Sequence, residues 1–312
     1  MLQINGLEEG LTVFRALGSE ARMKIVHLLA QNRSMNLNEI ASSLGLTNGA
    51  LTAHIKKLQE CGMIQVEVQH SGRGLQKICS LAEEQVLLNI LPSMEERDLK
   101  MYETQIRIGH YSDYSLKADC GLAGQSALIG PENEPRSFSF PDRLEAELLW
   151  FHDGYIEYRI PNLLPENQKI VQLTLSFEIG SAEIGSEDDS QAEICFSLNG
   201  QKLGRWLSFR SPGSDRGLYT PLWWKRSQMQ HGFLKMLVIN QAGVFLDGVK
   251  LVDEVADSAL PDTTGEMKLR FEVHNQDGHN GGFALFGENF GNYKQGIHAR
   301  IHYMPEDMLN GQ

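Results

Sequence analysis

The sequence predicts an α+β multidomain protein in which a helical N-terminal domain, ending in a β-hairpin, precedes an antiparallel β-sandwich. Three observations lead to this fold class. The chain has 312 residues, which exceeds the usual length of one compact domain. Apolar residues recur every three or four positions from Leu11 to Leu91, as in short amphipathic helices. Beyond about residue 136 they alternate with polar residues, as in strands with one buried face.

Alternating strands and tight turns characterise the second half of the chain. The segments 171–179 and 267–273 alternate strictly between apolar and polar residues. The dipeptides Asn199-Gly200 and Asp247-Gly248 are favoured in two-residue hairpin turns. No long helical pattern follows residue 110, so this half is predicted to form a jelly-roll-like antiparallel sandwich over residues 136–312.

The segment between these two patterns predicts how the domains are joined. Residues 82–106 begin with helical spacing and carry more apolar side chains than one small domain needs. We therefore expect a dimerisation helix there, which pairs with the first helix in a homodimer. The predicted domains are residues 1–108 for the N-terminal domain, 109–135 for an irregular connector and 136–312 for the sandwich.

Charge is distributed unevenly along the chain. The formal net charge is -12, but residues 11–80 hold eight Lys or Arg against four Asp or Glu, a local charge of +4. Residues 81–312 carry -14. A mildly basic N-terminal domain can contact phosphates, whereas the acidic remainder is expected to repel them.

A helix-turn-helix is predicted between residues 37 and 60. Gly45 suits the tight turn, and Thr47 is a good N-cap for the second helix. Leu51, Ile55 and Leu58 repeat along one face of that helix, so this face is predicted to be buried.

The opposite face of the second helix has the character of a DNA recognition helix. Gly49 and Ala53 are small, and Lys56 and Lys57 are basic, as a helix that enters the major groove requires. Two strands follow, and the turn between them carries Arg73, which is suited to phosphates or the minor groove. We therefore expect this domain to bind double-stranded DNA.

Residues 11–81 resemble the ArsR group of winged helix-turn-helix regulators, through "FRALGSEARMKIVHLLA" and "LGLTNGALTAHIKKLQECGMI". The resemblance implies a winged helix and a role in transcription regulation. The chain departs from the family at Gly49 and Ala53, where family members often carry Ser and Arg, which implies fewer direct base contacts. The predicted DNA-binding residues are Thr47, Asn48, Gly49, Thr52, His54, Lys56, Lys57, Arg73 and Lys77.

The sequence disfavours a metal effector and predicts no cofactor. The resemblance implies metal ligands at two family positions, but Asn36 and Asn38 replace the cysteine pair of the first, and residues 83–109 contain no histidine for the second. The four cysteines are far apart, which indicates reduced structural thiols. No segment has the length and hydropathy of a membrane span or a secretory signal, so we expect a soluble, cytoplasmic protein.

The sandwich is predicted to bind a small effector, a saccharide. Residues 136–304 resemble the galactose-binding or jelly-roll sandwiches of carbohydrate-binding modules, through segments such as "GLYTPLWW" and "NGGFALFGENFGNY". Aromatic faces cover the apolar side of a sugar ring, and charged or amide groups bind its hydroxyls. The predicted ligand-binding residues are Asp215, Arg216, Tyr219, Trp223, Trp224, Asn275, His279 and Asn280.

Three alternatives stay open for the second domain. In the first, Trp223 and Trp224 close the end of the β core, and in the second the sandwich serves protein assembly alone. A glycoside-processing sandwich is the third, but no carboxylate pair can be identified from the sequence. Because no Gly-x-Ser-x-Gly, His-Glu-x-x-His or Walker motif is present, we expect a protein without enzymatic activity.

Overall fold

The chain forms two compact units, Met1–Arg97 and Asp98–Gln312. This boundary precedes the end at residue 108 that the sequence predicts. The computed structural model describes residues 2–5, 7–71, 74–82, 86–89, 99–182, 192–208, 215–252, 260, 265–274 and 281–309.

The first unit is a helix-turn-helix with a β-hairpin, as the sequence predicts. A core of apolar side chains from all four helices and the hairpin holds it together. Strands β2, β4 and β3 form one antiparallel sheet, and β1 pairs in parallel with β5. The elements are β1 (Leu2–Asn5), α1 (Leu7–Leu17), α2 (Glu20–Asn32), β2 (Ser34–Asn36), α3 (Leu37–Leu44), α4 (Asn48–Glu60), β3 (Ile64–Ser71), β4 (Gly74–Leu81) and β5 (Val86–Asn89).

The dimerisation helix predicted over residues 82–106 is wrong for the described part of that segment. Residues 86–89 are strand β5, and Lys100–Ile106 forms strand β6, which pairs with the last strand of the second unit. Ile106 is buried and Tyr102 half-buried, whereas Glu103 between them is exposed. This two-residue period belongs to a strand, and the helical interpretation overlooked it.

The second unit is built almost entirely from strands. The predicted connector at 109–135 is itself part of the sandwich, since it contributes three strands, and two short 3-10 helices follow at Pro135–Ser139 and Pro141–Glu145. The remaining elements are β7 (Asp113–Leu116), β8 (Cys120–Ala123), β9 (Leu128–Ile129), β10 (Leu148–Phe151), β11 (Gly154–Ile160), β12 (Gln168–Ser181), β13 (Ala192–Leu198), β14 (Gln201–Ser208), β15 (Phe233–Asn240), β16 (Gly243–Leu246), β17 (Val249–Val252), β18 (Met267–Val273), β19 (Phe283–Phe286), β20 (Ile297–Pro305) and α5 (Glu306–Leu309).

Two antiparallel sheets form the sandwich that the sequence predicts. The large sheet has the strand order β17-β16-β15-β12-β19-β10-β8-β9, and β20 joins β12 to β6. The small sheet has the order β14-β13-β18-β11-β7. Phe177 of the large sheet packs between them against Phe196 and Phe271 of the small sheet, with ring centroids 5.9 and 4.9 Å away. The hydrophobic core of the unit therefore lies between the sheets.

The predicted hairpin turns are confirmed. Asn199 and Gly200 have φ of 51° and 80°, and Asp247 and Gly248 have φ of 51° and 82°. Positive φ at both central residues is the type I′ geometry, which Asn, Asp and Gly tolerate at the lowest cost.

Strand β12 is buried on both faces, although its alternating sequence predicts one exposed face. Leu175 and Phe177 point into the core, but Thr174, Ser176 and Glu178 on the opposite face are buried as well. Segments 215–232 and 287–296 supply hydrogen-bond donors to Glu178 and Ser176, so the large sheet carries a second layer on its outer face.

The cysteines are structural thiols, as predicted. All four are free, and Cys61, Cys79 and Cys120 are buried. Burial raises the pKa of Cys79 and raises that of Cys120 to about 11. A thiol with a raised pKa carries little thiolate at neutral pH and is correspondingly unreactive.

Candidate DNA interface and candidate ligand-binding loop

The turn between α3 and α4 is fixed by a left-handed glycine. Gly45 has φ of 63°, and the N–H of Leu46 donates to the carbonyl of Ala41 at 3.0 Å. This arrangement ends α3 and satisfies one of its last carbonyls. The angle at which α4 leaves the turn is therefore set by local backbone geometry.

Helix α4 has the predicted cap and the predicted buried stripe. The Oγ1 atom of Thr47 accepts a hydrogen bond from the N–H of Ala50 at 3.3 Å. Leu51, Ile55 and Leu58 are buried in the core of the first unit. The stripe anchors one face of α4 and turns the other face to solvent.

The exposed face of α4 carries most of the predicted DNA-binding residues. Gly49, Thr52, Lys56 and Lys57 are exposed, and His54 is half-buried. The Nζ atom of Lys56 lies 3.8 Å from Glu60 in an exposed pair of the kind that contributes little. Lys77 is exposed on β4, and Arg73 lies outside the described residues.

Asn48 and Thr52 are tied to the protein itself. The Nδ2 atom of Asn48 donates to Oδ1 of Asn38 at 3.3 Å, and the Thr52 hydroxyl donates to the carbonyl of Asn48 at 2.7 Å. Asn36 caps α3, since it accepts from the N–H of Glu39 and its own N–H donates to the Glu39 carboxylate. The Asn-x-x-Glu spacing of Asn36 and Glu39 signals such a capping box, whereas the prediction considered Asn36 and Asn38 only as positions that lack metal-ligating cysteines.

Gly49 lies in the first turn of α4 with open space beside it. A Cβ atom built at this position would meet nothing within 4 Å. Glycine is a poor helix former relative to alanine, and the open space shows that no contact among the described residues requires a glycine here. Close approach of a DNA strand to the backbone of α4 would explain it.

We predict opposite effects of Gly49→Ala on stability and on DNA binding. The first unit should gain about 0.4–1 kcal/mol of unfolding free energy, because alanine restricts the unfolded chain and fits the helix. DNA affinity should fall by about 1–3 kcal/mol, the range of one lost base contact. Thermal melts at 222 nm follow this unit, which holds nearly all the helix, and fluorescence anisotropy gives the affinity. Unchanged DNA affinity would show that the helix does not approach DNA closely at Gly49.

Trp224 is a packing residue of the second unit. Its side chain is 2% exposed, and its ring centroid lies 5.7 Å from that of Trp150 and 5.4 Å from that of Phe290. The indole Nε1 donates to the carbonyl of Met229 at 2.8 Å. Trp224 therefore holds segment 215–232 on the outer face of the large sheet and offers no surface to a ligand.

Trp223 is held rigidly at the surface. It remains 37% exposed, and its Nε1 atom donates to the carbonyl of Gln125 at 2.7 Å. Its ring also contacts Trp224 edge to face, with the centroids 5.5 Å apart. These two contacts fix the orientation of an indole that remains partly exposed.

The other predicted ligand-binding residues that the structure describes also divide into a residue that bonds within the protein and residues that are exposed. Arg216 donates to the carbonyls of Pro221 and Trp224, so its guanidinium shapes the loop. Tyr219 and Asp215 are exposed. The predicted residues Asn275, His279 and Asn280 lie outside the described residues.

A buried carboxylate, which sequence reasoning missed, anchors this outer layer. Glu178 accepts hydrogen bonds from the N–H groups of Gly232, Asn292 and Tyr293 at 2.7 to 3.0 Å. The alternating pattern of β12 placed it on a solvent-facing side, so no sequence signal marked it. Because backbone N–H groups of both loop segments donate to it, Glu178 fixes these segments against the sheet.

The described residues offer neither a metal site nor a membrane span. No cluster of three or more His, Cys, Asp or Glu side chains among them is arranged to hold a metal ion. None of their helices combines the length and hydropathy needed to cross a membrane.

Comparison with known proteins identifies the first unit. A family model described as a winged helix DNA-binding domain matches residues 21–84. Among curated proteins, none matches the chain significantly. Residues 21–84 therefore form a winged helix DNA-binding domain.

Several solved structures resemble parts of the chain. Reduced HlyU from Vibrio cholerae is 20% identical, with 24% of this chain and 74% of that chain covered and a TM-score of 0.21. A transcriptional regulator homologue from Pyrococcus horikoshii is 25% identical, with 22% and 66% covered and a TM-score of 0.21. Winged bean acidic lectin in complex with methyl-α-D-galactose is 9% identical, with 66% and 98% covered and a TM-score of 0.27.

Proposed function

We propose that the protein is a homodimeric, cytoplasmic transcriptional regulator of the ArsR type, which binds DNA through α4 and the hairpin and a saccharide through its sandwich. The observation that carries the sensor part is Trp223, a rigidly held and exposed indole on a domain joined to a DNA-binding unit. The protein is not an enzyme in this proposal. Ligand binding changes the affinity for the operator.

The DNA-binding part is supported by the distribution of charge and side-chain size. The buried stripe of α4 leaves Lys56 and Lys57 exposed near the end of the helix, and Gly49 exposed near its start. Lysines in these positions contact phosphates, and a small residue lets the helix sit deep in the groove. Because the second unit is acidic, it repels DNA, so the phosphate contacts are made by the first unit.

The ligand-binding part is supported by the rigidity of the aromatic surface. A sugar ring presents an apolar face, which packs on an exposed aromatic ring. Because Trp223 is already fixed by Gln125 and Trp224, little conformational entropy is lost when a ligand binds. Exposed Tyr219 and Asp215 in the same loop supply polar groups for hydroxyls.

Two binding measurements on the full chain test this proposal. Selection from random duplex DNA should yield an operator with an approximate palindrome, whose half-sites are about 34–36 Å apart. Calorimetry against a saccharide panel should find a ligand whose binding is lost in Trp223→Ala. Failure to select any operator would overturn the DNA-binding part, and absence of binding across the panel would overturn the sensor part.

Protein assembly is the main alternative role of the sandwich. It would be favoured if no saccharide binds while removal of the exposed Trp223 side chain changes the oligomeric state. A glycoside-processing sandwich is tested by turnover of aryl glycosides, which we expect to be absent.

The homodimer is supported by an apolar stripe on the first helix. Leu7, Leu11 and Phe14 are all exposed and follow a spacing of four and three residues, so they share one face of α1. Val13 and Ala16 occupy the opposite, buried face. In an antiparallel pair of α1 helices with Leu11 near the two-fold axis, Leu7 of one copy would meet Phe14 of the other, which makes the stripe self-complementary.

Leu11→Asp should therefore produce a monomer. Loss of a central interface residue makes the free energy of dimerisation less favourable by about 2 kcal/mol or more, which raises the dimer dissociation constant at least about thirtyfold. Sedimentation equilibrium measures the change, and operator affinity should fall with it. Leu163→Asp, at an exposed leucine of the second unit, is the matched control and should remain dimeric. A Leu11→Asp protein that sediments as the wild-type dimer would rule out this surface.

A further inference from the structure

The loop that carries Trp223 has one acidic residue, Asp215 at its start, and none in the stretch that follows. From Arg216 to Leu246 the sequence contains four basic residues and no Asp or Glu. The surrounding region, residues 81–312, has a net charge of -14. A positive segment is therefore set within a domain whose overall field repels anions.

Two of the four cations in this segment have internal partners. Arg216 donates to two backbone carbonyls of its own loop. Lys235 lies 2.7 Å from Asp247 and over the ring of Trp206 at 4.5 Å. These two side chains serve the structure of the unit.

Lys225 and Arg226 have no such partners. Both are exposed, and neither forms an ion pair with any residue that the structure describes. Other cations of the same unit are paired, as Arg159 is with Glu266 and Arg270 with Glu157. Lys202 and Lys294 of this unit are likewise exposed with no ion pair to a described residue, so Lys225 and Arg226 differ from them by their position directly after Trp223 and Trp224.

The backbone at Lys225 is fixed close to the aromatic surface. The buried Gln230 side chain donates through Nε2 to the carbonyls of Lys225 and Gln228 at 2.8 and 2.9 Å. Lys225 directly follows the pair Trp223 and Trp224 in the chain. The two exposed side chains therefore start from a fixed turn that directly follows the indole pair in the chain, and their charged ends form no ion pair with a described residue.

We infer that the ligand of the Trp223 surface is an anionic saccharide, whose ring packs on the indole and whose carboxylate or phosphate binds Lys225 and Arg226. This inference rests on the proposed sensor function and specifies its ligand class. An anionic group on the ligand would gain charge-assisted hydrogen bonds from both cations, which a neutral sugar would not. The same cations offset the repulsion that the acidic domain exerts on an anionic ligand.

Calorimetry of the full chain with matched sugars tests the inference. Galacturonate and galactose 6-phosphate are compared with galactose, and glucuronate and glucose 6-phosphate with glucose. The better anionic member should bind about tenfold or more tightly than its neutral counterpart. In the double variant Lys225→Gln, Arg226→Gln the ratio should fall to within about threefold. Lys202→Gln, at an exposed lysine of β14, is the control and should keep the ratio.

The outcomes separate the inference from the function on which it rests. If neutral sugars bind as tightly as their anionic counterparts, or if the ratio survives the double variant, the inference is wrong and the sensor function stands. If no sugar of either class binds, the sensor function itself fails. A preference for carboxylate or for phosphate identifies which acidic group the two cations bind.

Discussion

Trp224→Ala is expected to lower the unfolding free energy of the second unit by about 3–5 kcal/mol. The indole fills the space between the outer face of the large sheet and the loop, where it contacts Trp150 and Phe290 and donates to Met229. Its removal leaves a cavity and an unpaired carbonyl. Tryptophan fluorescence in urea measures the effect on this unit alone, because all four tryptophans lie within it.

Trp223→Ala is the matched comparison at the neighbouring position. Its side chain is partly exposed and forms one hydrogen bond, so the expected loss is about 1 kcal/mol. An equal loss in both variants would contradict the assignment of one indole to packing and the other to binding.

The double variant Lys56→Gln, Lys57→Gln should reduce the salt dependence of DNA binding. If each lysine contacts one phosphate, the slope of log K against log salt should decrease by about 1.8, since each contact contributes about 0.9. Affinity should fall for all duplex sequences alike, because phosphates carry no sequence information. Anisotropy titrations at several salt concentrations provide the slope.

Lys24→Gln is the control for this experiment. Lys24 lies on α2 and pairs with Glu20 at 2.7 Å, an exposed i,i+4 pair like that of Lys56. Its removal should leave the slope unchanged. If the salt slope of the Lys56, Lys57 double variant is as steep as that of the wild-type protein, α4 does not face the DNA backbone.

The winged helix was predictable because its signals are local. The turn, the N-cap and the buried stripe each depend on contacts within one or two helical turns. The structure confirms the turn at Gly45, the cap at Thr47 and the buried stripe of α4. The roles of Asn38 and Asn48 were not predictable in the same way. Their hydrogen bond joins two helices, and its partners are set by the angle of the turn rather than by sequence spacing.

The dimerisation helix was mispredicted because the segment is divided between the two units. Residues 86–89 pair with β1, and residues 100–106 with β20, nearly two hundred residues further along the chain. Short apolar runs fit either period, and the choice between helix and strand depends on such distant partners. The alternation in residues 100–106 was the only local sign of the strand.

The candidate ligand site was predictable by loop but not by residue. Composition singled out the loop that contains Trp223 and Trp224, yet adjacent tryptophans give no indication of which one is buried. Burial depends on Trp150 and Phe290, which reach the same place from β10 and from the loop after β19. Arg216 likewise resembles a ligand-binding residue in sequence and is turned toward backbone carbonyls in the structure.

The dissociation constant of the full chain for its operator, measured with and without a saturating saccharide, tests the central claim most directly. A coupling of about 1–3 kcal/mol between the two sites predicts a change of about 5- to 150-fold. The affinity for the saccharide should change by the same factor when the operator is bound, because binding linkage is reciprocal. Equal operator dissociation constants with and without a bound saccharide would contradict the claim that the sandwich regulates DNA binding.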